Sequence, residues 1–371
     1  MDHDGVLPTR SVNYITINVP FDRYQVAEQD LCCLRRTGIG DPVAMLQVSR
    51  GYLREACPAA CQAIRNALIT PWLCAFSEAG KATAVLFARD EPEVLATWDD
   101  VLTTLLANPV NLRDVTIWCL FFATLEAAAQ FQLDECPSPT GEEHLSGLLL
   151  GALKARCERW GQTASVPLAR AGSSLSLRRI NLSILGGEQA TGGDFGLILD
   201  FDNPSVQPTL EDKTPVRRIV PLIFQAKRYV RPDADVSQHH VRRGYQYSFL
   251  AQNDCASAYI VYENGRERIN HSAPPLVKPV ANVAAPSRTP VFSNSYDISS
   301  YLLNALKDER FAAGAASPDQ ALRMIYTKAD PGQLAHLAVI SNDARAAGRY
   351  AALLADLAPA LRALRQDDDK A

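Results

Sequence analysis

The spacing of apolar residues changes period once along this chain, and that change limits what it can fold into. Over Glu142–Trp160, Leu145, Leu148, Leu149, Ala152 and Leu153 recur at helical spacing, with Arg156 on the same row. Ser138 or Thr140 can cap the start of this helix. Glu142 and Glu143 in its first turn suit the helix dipole, and Gly161 is expected to end it. Beyond it the period drops to two. Ser174–Leu185 alternates over part of its length, and Phe195–Phe201, Arg218–Tyr229 and Ser257–Tyr262 are compact apolar runs of strand length. Val236–Leu250 reads as a helix. A helix, three strands, a helix and a strand predict an α/β or mixed α+β sheet with helices packed on its faces.

The flanks are less explicit. At 371 residues the chain is long enough for two or three domains. Residues 1–135 read as mostly helical, with Val43–Arg65 and Pro92–Leu106 at helical spacing and Ala82–Arg89 as a short strand-like run. Their expected role is sensing, scaffolding or partner binding. Val115–Thr124 is an apolar run too short to cross a membrane and suits a buried core element. The Pro/Ser break Cys136–Thr140 marks a boundary, so residues 136–310 form the expected central domain. Asn270–Thr289 is Pro-rich and reads as a loop, and Tyr296–Leu306 as a helix. Residues 311–371 form a C-terminal helical segment, with short elements at Ser317–Tyr326 and Gln333–Asn342 and an Ala/Leu-rich helix at Ala344–Arg365.

Three polar groups stand at the edges of apolar runs, where a charge is costly unless it is paired or bound. Glu142-Glu143 opens the long helix. Asp194 follows Gly192-Gly193 and begins Phe195–Phe201. Gln225-Ala226-Lys227 closes Leu222–Lys227. Gln225 and Lys227 are two apart, so on a strand they share a face. If the Asp194 strand lies alongside, Asp194, Gln225 and Lys227 converge. A carboxylate and an amide oxygen are hard ligands suited to Mg²⁺. Lys227 adds a positive charge that could orient water or stabilise a charged transition state.

This arrangement resembles the PD-(D/E)XK nuclease superfamily, in the form with Gln-x-Lys in place of (Asp/Glu)-x-Lys. The resemblance spans residues 140–265, about a third of the chain. It implies a restriction endonuclease-like α-β-β-β-α-β core, in which the helix with Gln238, His239 and Tyr245 follows the Gln-x-Lys strand. It further implies that Asp194 and Gln225, with the backbone at Ala226, ligate Mg²⁺ or Mn²⁺, and that Lys227 assists attack on the phosphodiester. A helix glutamate is the accessory ligand or orienter. Glu142 is favoured over Glu143 because it lies three residues before Leu145 and seven before Leu149, on the core-facing side. The implied protein is a metal-dependent endonuclease acting on double-stranded DNA, of the kind found in bacterial anti-phage defence. Gln225 removes one negative charge from the site, so the alternative is an inactive nuclease-like module that binds nucleic acid or protein.

Charge fits a phosphate partner locally but not globally. The chain has 37 Lys+Arg against 41 Asp+Glu. From Lys213 to Arg243, however, eight bases face only Asp233 and Asp235, and from Leu153 to Gly186 six face only Glu158. Arg178, Arg179, Arg228, Arg231, Arg242 and Arg243 are the expected backbone-phosphate contacts. No P-loop and no GxSxG elbow is present. The nine cysteines, an odd and scattered set, read as buried thiols rather than a zinc site. With no apparent secretory leader and no membrane span, the expected location is cytoplasmic. A homo-oligomer with symmetric sites would permit two-strand cleavage. A third reading makes the chain an adaptor whose N-terminal half does the work.

Overall fold

The computed structural model describes residues 115–368 apart from 137, 171, 182–193, 203–216, 232, 241–243, 265–274, 286, 292–293, 308 and 327–333. The readings at Val43–Arg65, Ala82–Arg89 and Pro92–Leu106 lie outside the described residues. The architecture is mixed α+β. In chain order come α1 (Val115–Asp134), α2 (Glu142–Thr163), α3 (Ser165–Arg170), β1 (Ser176–Asn181), β2 (Asp194–Asp202), β3 (Arg217–Tyr229), β4 (Asp233–Asp235), β5 (His239–His240) and β6 (Gly244–Tyr245). Then follow α4 (Gln246–Ala251), β7 (Ala256–Glu263), β8 (Leu276–Pro279), β9 (Arg288–Pro290), β10 (Tyr296–Asp297), α5 (Ile298–Lys307), α6 (Pro318–Tyr326), β11 (Leu334–Ser341) and α7 (Ala346–Asp368).

Seven strands form one sheet in the order β1-β11-β2-β3-β7-β8-β10. β2 and β3 are antiparallel, whereas β3 and β7 run parallel with α4 in the connection between them. Helices cover both faces. Phe224 of β3 packs on Tyr301 of α5, and Tyr262 of β7 meets Phe131 of α1 and Ser146 of α2, so α1, α2 and α5 share one face. Gly196 and Asp200 point the other way along β2. Gly196 lies beneath Ile325 of α6 and Asp200 beside Arg349 of α7.

The long helix forms where the apolar period requires it. Leu145, Leu149, Leu150, Leu153, Cys157 and Trp160 are buried, each Leu contributing about 1.5–3 kcal/mol by leaving water. Its ends differ from expectation. The cap position is Gly141 with no side-chain bond, so neither Ser138 nor Thr140 caps it. Gly161 does not end the helix, which runs on to Thr163. A Cβ at Gly161 would sit 2.5 Å from the carbonyl oxygen of Leu175. The glycine is there for close approach of backbone, not for a turn. Gly161→Ala is expected to cost about 1–3 kcal/mol through that overlap; an unchanged thermal melt would show that Leu175 simply moves aside.

Three other expectations change. Val236–Leu250 is not one helix, because His239–His240 pairs with Gly244–Tyr245 and only Gln246–Ala251 is helical. The Pro-rich stretch is not all loop. Leu276–Pro279 pairs with β7 on one side and β10 on the other, and Arg288–Pro290 pairs with β4. The segment from 311 is not all helical either. Leu334–Ser341 lies between β1 and β2, antiparallel to the first and parallel to the second. Its near-continuous apolar run suits a strand covered on both faces, a pattern that period alone cannot tell from a short helix. Pro221 lies one residue before β3 begins to pair with β7, so β3 has a local edge there, as a missing N–H requires.

The four cysteines among the described residues, Cys119, Cys136, Cys157 and Cys255, are free and buried. Burial pushes the thiols of Cys136, Cys157 and Cys255 up to about 12. At pH 8 only roughly one part in ten thousand of each is thiolate, the reactive form. These three are expected to resist alkylation in the native protein and to react fully after unfolding. Peptide mass mapping that found any of them modified in the folded state would contradict the buried placement.

Candidate active site

β3 outruns β2. Their ladder ends at Phe195 opposite Phe224, whereas β3 continues beside β7 to Tyr229. Past Phe224 no described strand pairs with the β2 flank of β3. The first turn of α2 takes that place. The Arg228 N–H donates to Glu142 Oε1 at 3.1 Å, and Arg228 Nη1 donates to the Thr140 carbonyl at 2.8 Å. Backbone groups alternate sides along a strand. The Ala226 carbonyl therefore faces the same flank as the Arg228 N–H, toward the Glu142 carboxylate. Asp194, the first residue of β2, occupies the register position next to Phe195 and hence opposite Gln225.

Gln225 and Lys227 are both buried, 2% and 6% exposed. Lys227 Nζ donates to Gln238 Oε1 at 2.8 Å and lies 3.7 Å from Glu142 Oε2. One carboxylate and one amide oxygen thus hold an ammonium that has little water. Gln225 Oε1 is buried without a hydrogen-bond donor. An oxygen left so costs about 1–3 kcal/mol unless something binds it. The two glutamates separate clearly. Glu142 is half-buried and faces Lys227, whereas Glu143 is exposed and its charge acts at His336.

The structure adds two residues that the sequence reading did not place here. Gln238 was read as helical; it lies in the irregular stretch before β5 and contacts Lys227 directly. The carboxyl of Asp235 is held below the usual carboxylate range, first by the Ser237 hydroxyl at 2.6 Å and N–H at 2.9 Å. The Arg288 and Lys227 charges lower it further. A signal for Asp235 existed: it is one of only two acids in the basic stretch after Lys213.

The basic clusters are partly consumed inside the fold. Arg156 and Arg159 clamp Glu126 of α1, at 2.9 and 3.1 Å, beside the Trp160 indole N–H at 2.8 Å. Arg217 grips Asp200, and Arg218 is buried against the carbonyls of Ala305, Leu306 and Ala312. Each of these already has a carboxylate or carbonyl partner within the fold. Arg178, Arg179, Arg228 and Arg231 are exposed. Arg178 lies 3.6 Å from Glu158, and Arg179 contacts the His336 ring. Both sit on β1, three strands from β3 and so about 14 Å away across the sheet. Arg242 and Arg243 lie outside the described residues.

Among the described residues no three His, Cys, Asp or Glu side chains form a group able to hold a metal ion. The oxygen donors on this stretch are of another kind: the Gln225 amide oxygen and Ala226 carbonyl on β3, and the Glu142 carboxylate that reaches Arg228 and Lys227 beside them. All are hard oxygen donors, the kind that Mg²⁺ and Mn²⁺ take. No described helix is long and apolar enough to cross a membrane. No protein-family model, no curated protein and no solved structure matches the chain.

Proposed function

We propose that this chain is a divalent-metal-dependent nuclease of the PD-(D/E)XK kind in its Gln-x-Lys form. The carrying observation is that buried Lys227 lies 3.7 Å from Glu142, with the unpartnered Gln225 two residues before it, where the described β2–β3 ladder stops. The order α2-β1-β2-β3-α4-β7 supports a restriction endonuclease-like core. The insertion of β11 between β1 and β2 departs from an uninterrupted version of it.

The residues fit a metal. Gln225 Oε1 is a buried acceptor with no donor, two residues before the Lys227 that Glu142 faces. Asp194, Gln225, the Ala226 carbonyl and Glu142 would hold Mg²⁺ or Mn²⁺, with Glu143 too exposed to compete. The chemistry such an ion would supply there is activation of a water and charge neutralisation at a phosphate oxygen. Lys227, aimed by Gln238 and Glu142, places its ammonium where negative charge grows on the phosphoryl group. Arg228 and Arg231, exposed just beyond it, neutralise backbone phosphates without reading bases. Double-stranded DNA is the proposed substrate and anti-phage defence the proposed setting. Residues 1–135 would sense, scaffold or bind the activating partner.

The test is supercoiled plasmid incubated with Mg²⁺, then Mn²⁺, beside Asp194→Ala. Nicking by the wild type and not by the variant is expected. Equal cleavage by both would remove Asp194 from the site. The binding-module reading is favoured by one observation, the neutral Gln225 where an acid would strengthen metal binding. Calorimetric titration separates the two: Asp194-dependent heat with Mn²⁺ supports the enzyme, and salt-sensitive DNA binding without such heat supports the module.

A further inference from the structure

The first turn of α2 has to be held in place for Glu142 to reach β3, and its own cap does not do so. Gly141 contributes no side-chain bond. Asn264, the residue after β7, supplies the hold instead. It is 2% exposed. Its Oδ1 accepts the Thr140 N–H at 3.0 Å, and its Nδ2 donates to the carbonyls of Cys136 at 2.9 Å and Ser138 at 2.7 Å. Its own N–H donates to the Tyr229 carbonyl at 3.1 Å. One buried amide therefore ties the entry to α2 and the end of β3 to a common point. Glu142 and Arg228 hang from the two tied segments, and they bond each other.

We infer that Asn264 is the positioning residue of the candidate site, acting on Lys227 and any metal only through the placement of Glu142. This rests on the nuclease reading for its consequence but not for its geometry. A buried amide that uses its oxygen and its nitrogen on three backbone groups has no near substitute. Asp cannot donate to the two carbonyls, and Ala makes none of the bonds. Losing them frees residues 136–140, and the carboxylate two residues on loses its fixed distance to β3. Placement within about 0.5 Å is what such sites need.

The experiment is a double-mutant cycle between Asn264 and Glu142 with two readouts. The first is amide hydrogen exchange at Arg228, which reports the Glu142 contact whether or not the protein cuts DNA. The second is plasmid cleavage with Mn²⁺. Asn264→Ala, Asn264→Asp and Glu142→Ala are each expected to speed Arg228 exchange by about tenfold, the worth of a charge-assisted hydrogen bond. Combining Asn264→Ala with Glu142→Ala is expected to add little to either readout, because both act through one contact. Asn264→Asp keeps the oxygen that Thr140 needs, so it covers the case in which Asn264→Ala does not fold. Wild-type exchange at Arg228 in both Asn264 variants would overturn the inference. Effects that multiply fully with Glu142→Ala would also overturn it, since a merely structural residue behaves that way. If the wild type cuts nothing, the nuclease reading fails while the exchange cycle still decides the role of Asn264.

Discussion

Lys227→Ala is expected to lower metal-dependent cleavage on the order of 10³-fold, the range found when one preorganised charge is removed from a transition state. The fold is expected to survive. Glu142, the partner left behind, has a side chain 34% exposed and can be rehydrated, so the stability cost is about 1–2 kcal/mol rather than that of a fully buried pair. Lys227→Arg is not expected to rescue activity. Its planar fork is wider than an ammonium, and Gln238 Oε1 stands only 2.8 Å from Nζ. Initial rates of plasmid nicking, with thermal melts alongside, check this. Cleavage within tenfold of wild type in a folded Lys227→Ala protein would place the chemistry elsewhere.

The largest stability effect is expected far from that site, at Asp200. This carboxylate is 2% exposed on β2. It takes Arg217 in a two-pronged grip, Nε at 2.8 Å and Nη2 at 2.5 Å, and lies 3.8 Å from Arg349 of α7. Burial, and then the Asp200 charge, hold the Tyr350 phenol well above its ordinary range. Asp200→Ala removes the two-pronged partner of Arg217, which is a third exposed and keeps Asp202 at 3.4 Å, and loosens α7 from the sheet. The expected loss is about 2–3 kcal/mol, that of a charge-assisted two-pronged hydrogen bond whose remaining partner can be rehydrated. For a chain of 371 residues that lowers the melting temperature by about 3–4 °C. Replacing both partners together, Asp200→Leu with Arg217→Met, is expected to recover most of it, since apolar groups of similar volume have no charge to desolvate. A double variant that melts no higher than Asp200→Ala would show that the attraction within the pair, not the cost of leaving Arg217 without Asp200, carries the stability.

Asp200 also shows where sequence reasoning stops. It meets the criterion that singled out Asp194, a carboxylate in an apolar strand run, yet the two have different surroundings. Asp194 begins β2, where the ladder to β3 ends. Asp200 lies inside that ladder, with Arg217 beside it and α7 above. Arg217 and Arg218 show the same limit from the basic side. Counted along the chain they belong to a phosphate-binding stretch. In three dimensions one neutralises Asp200 and the other caps the carbonyls ending α5, together with Glu309.

Local pattern alone determined the long helix, the three strands after it, the strand at Ser257–Tyr262 and the shared face of Gln225 and Lys227. Period and apolar run length are properties of neighbouring residues, and they hold wherever the segment is placed. Tertiary structure decided the rest. It lodged Leu334–Ser341 between two strands adjacent in sequence, and brought Gln238 and Asn264 to the site from 11 and 122 residues away. The physical reason is that strand pairing and the satisfaction of buried polar groups are contacts between distant segments. A buried donor takes whichever acceptor the fold delivers, and no spacing along the chain encodes which one that will be.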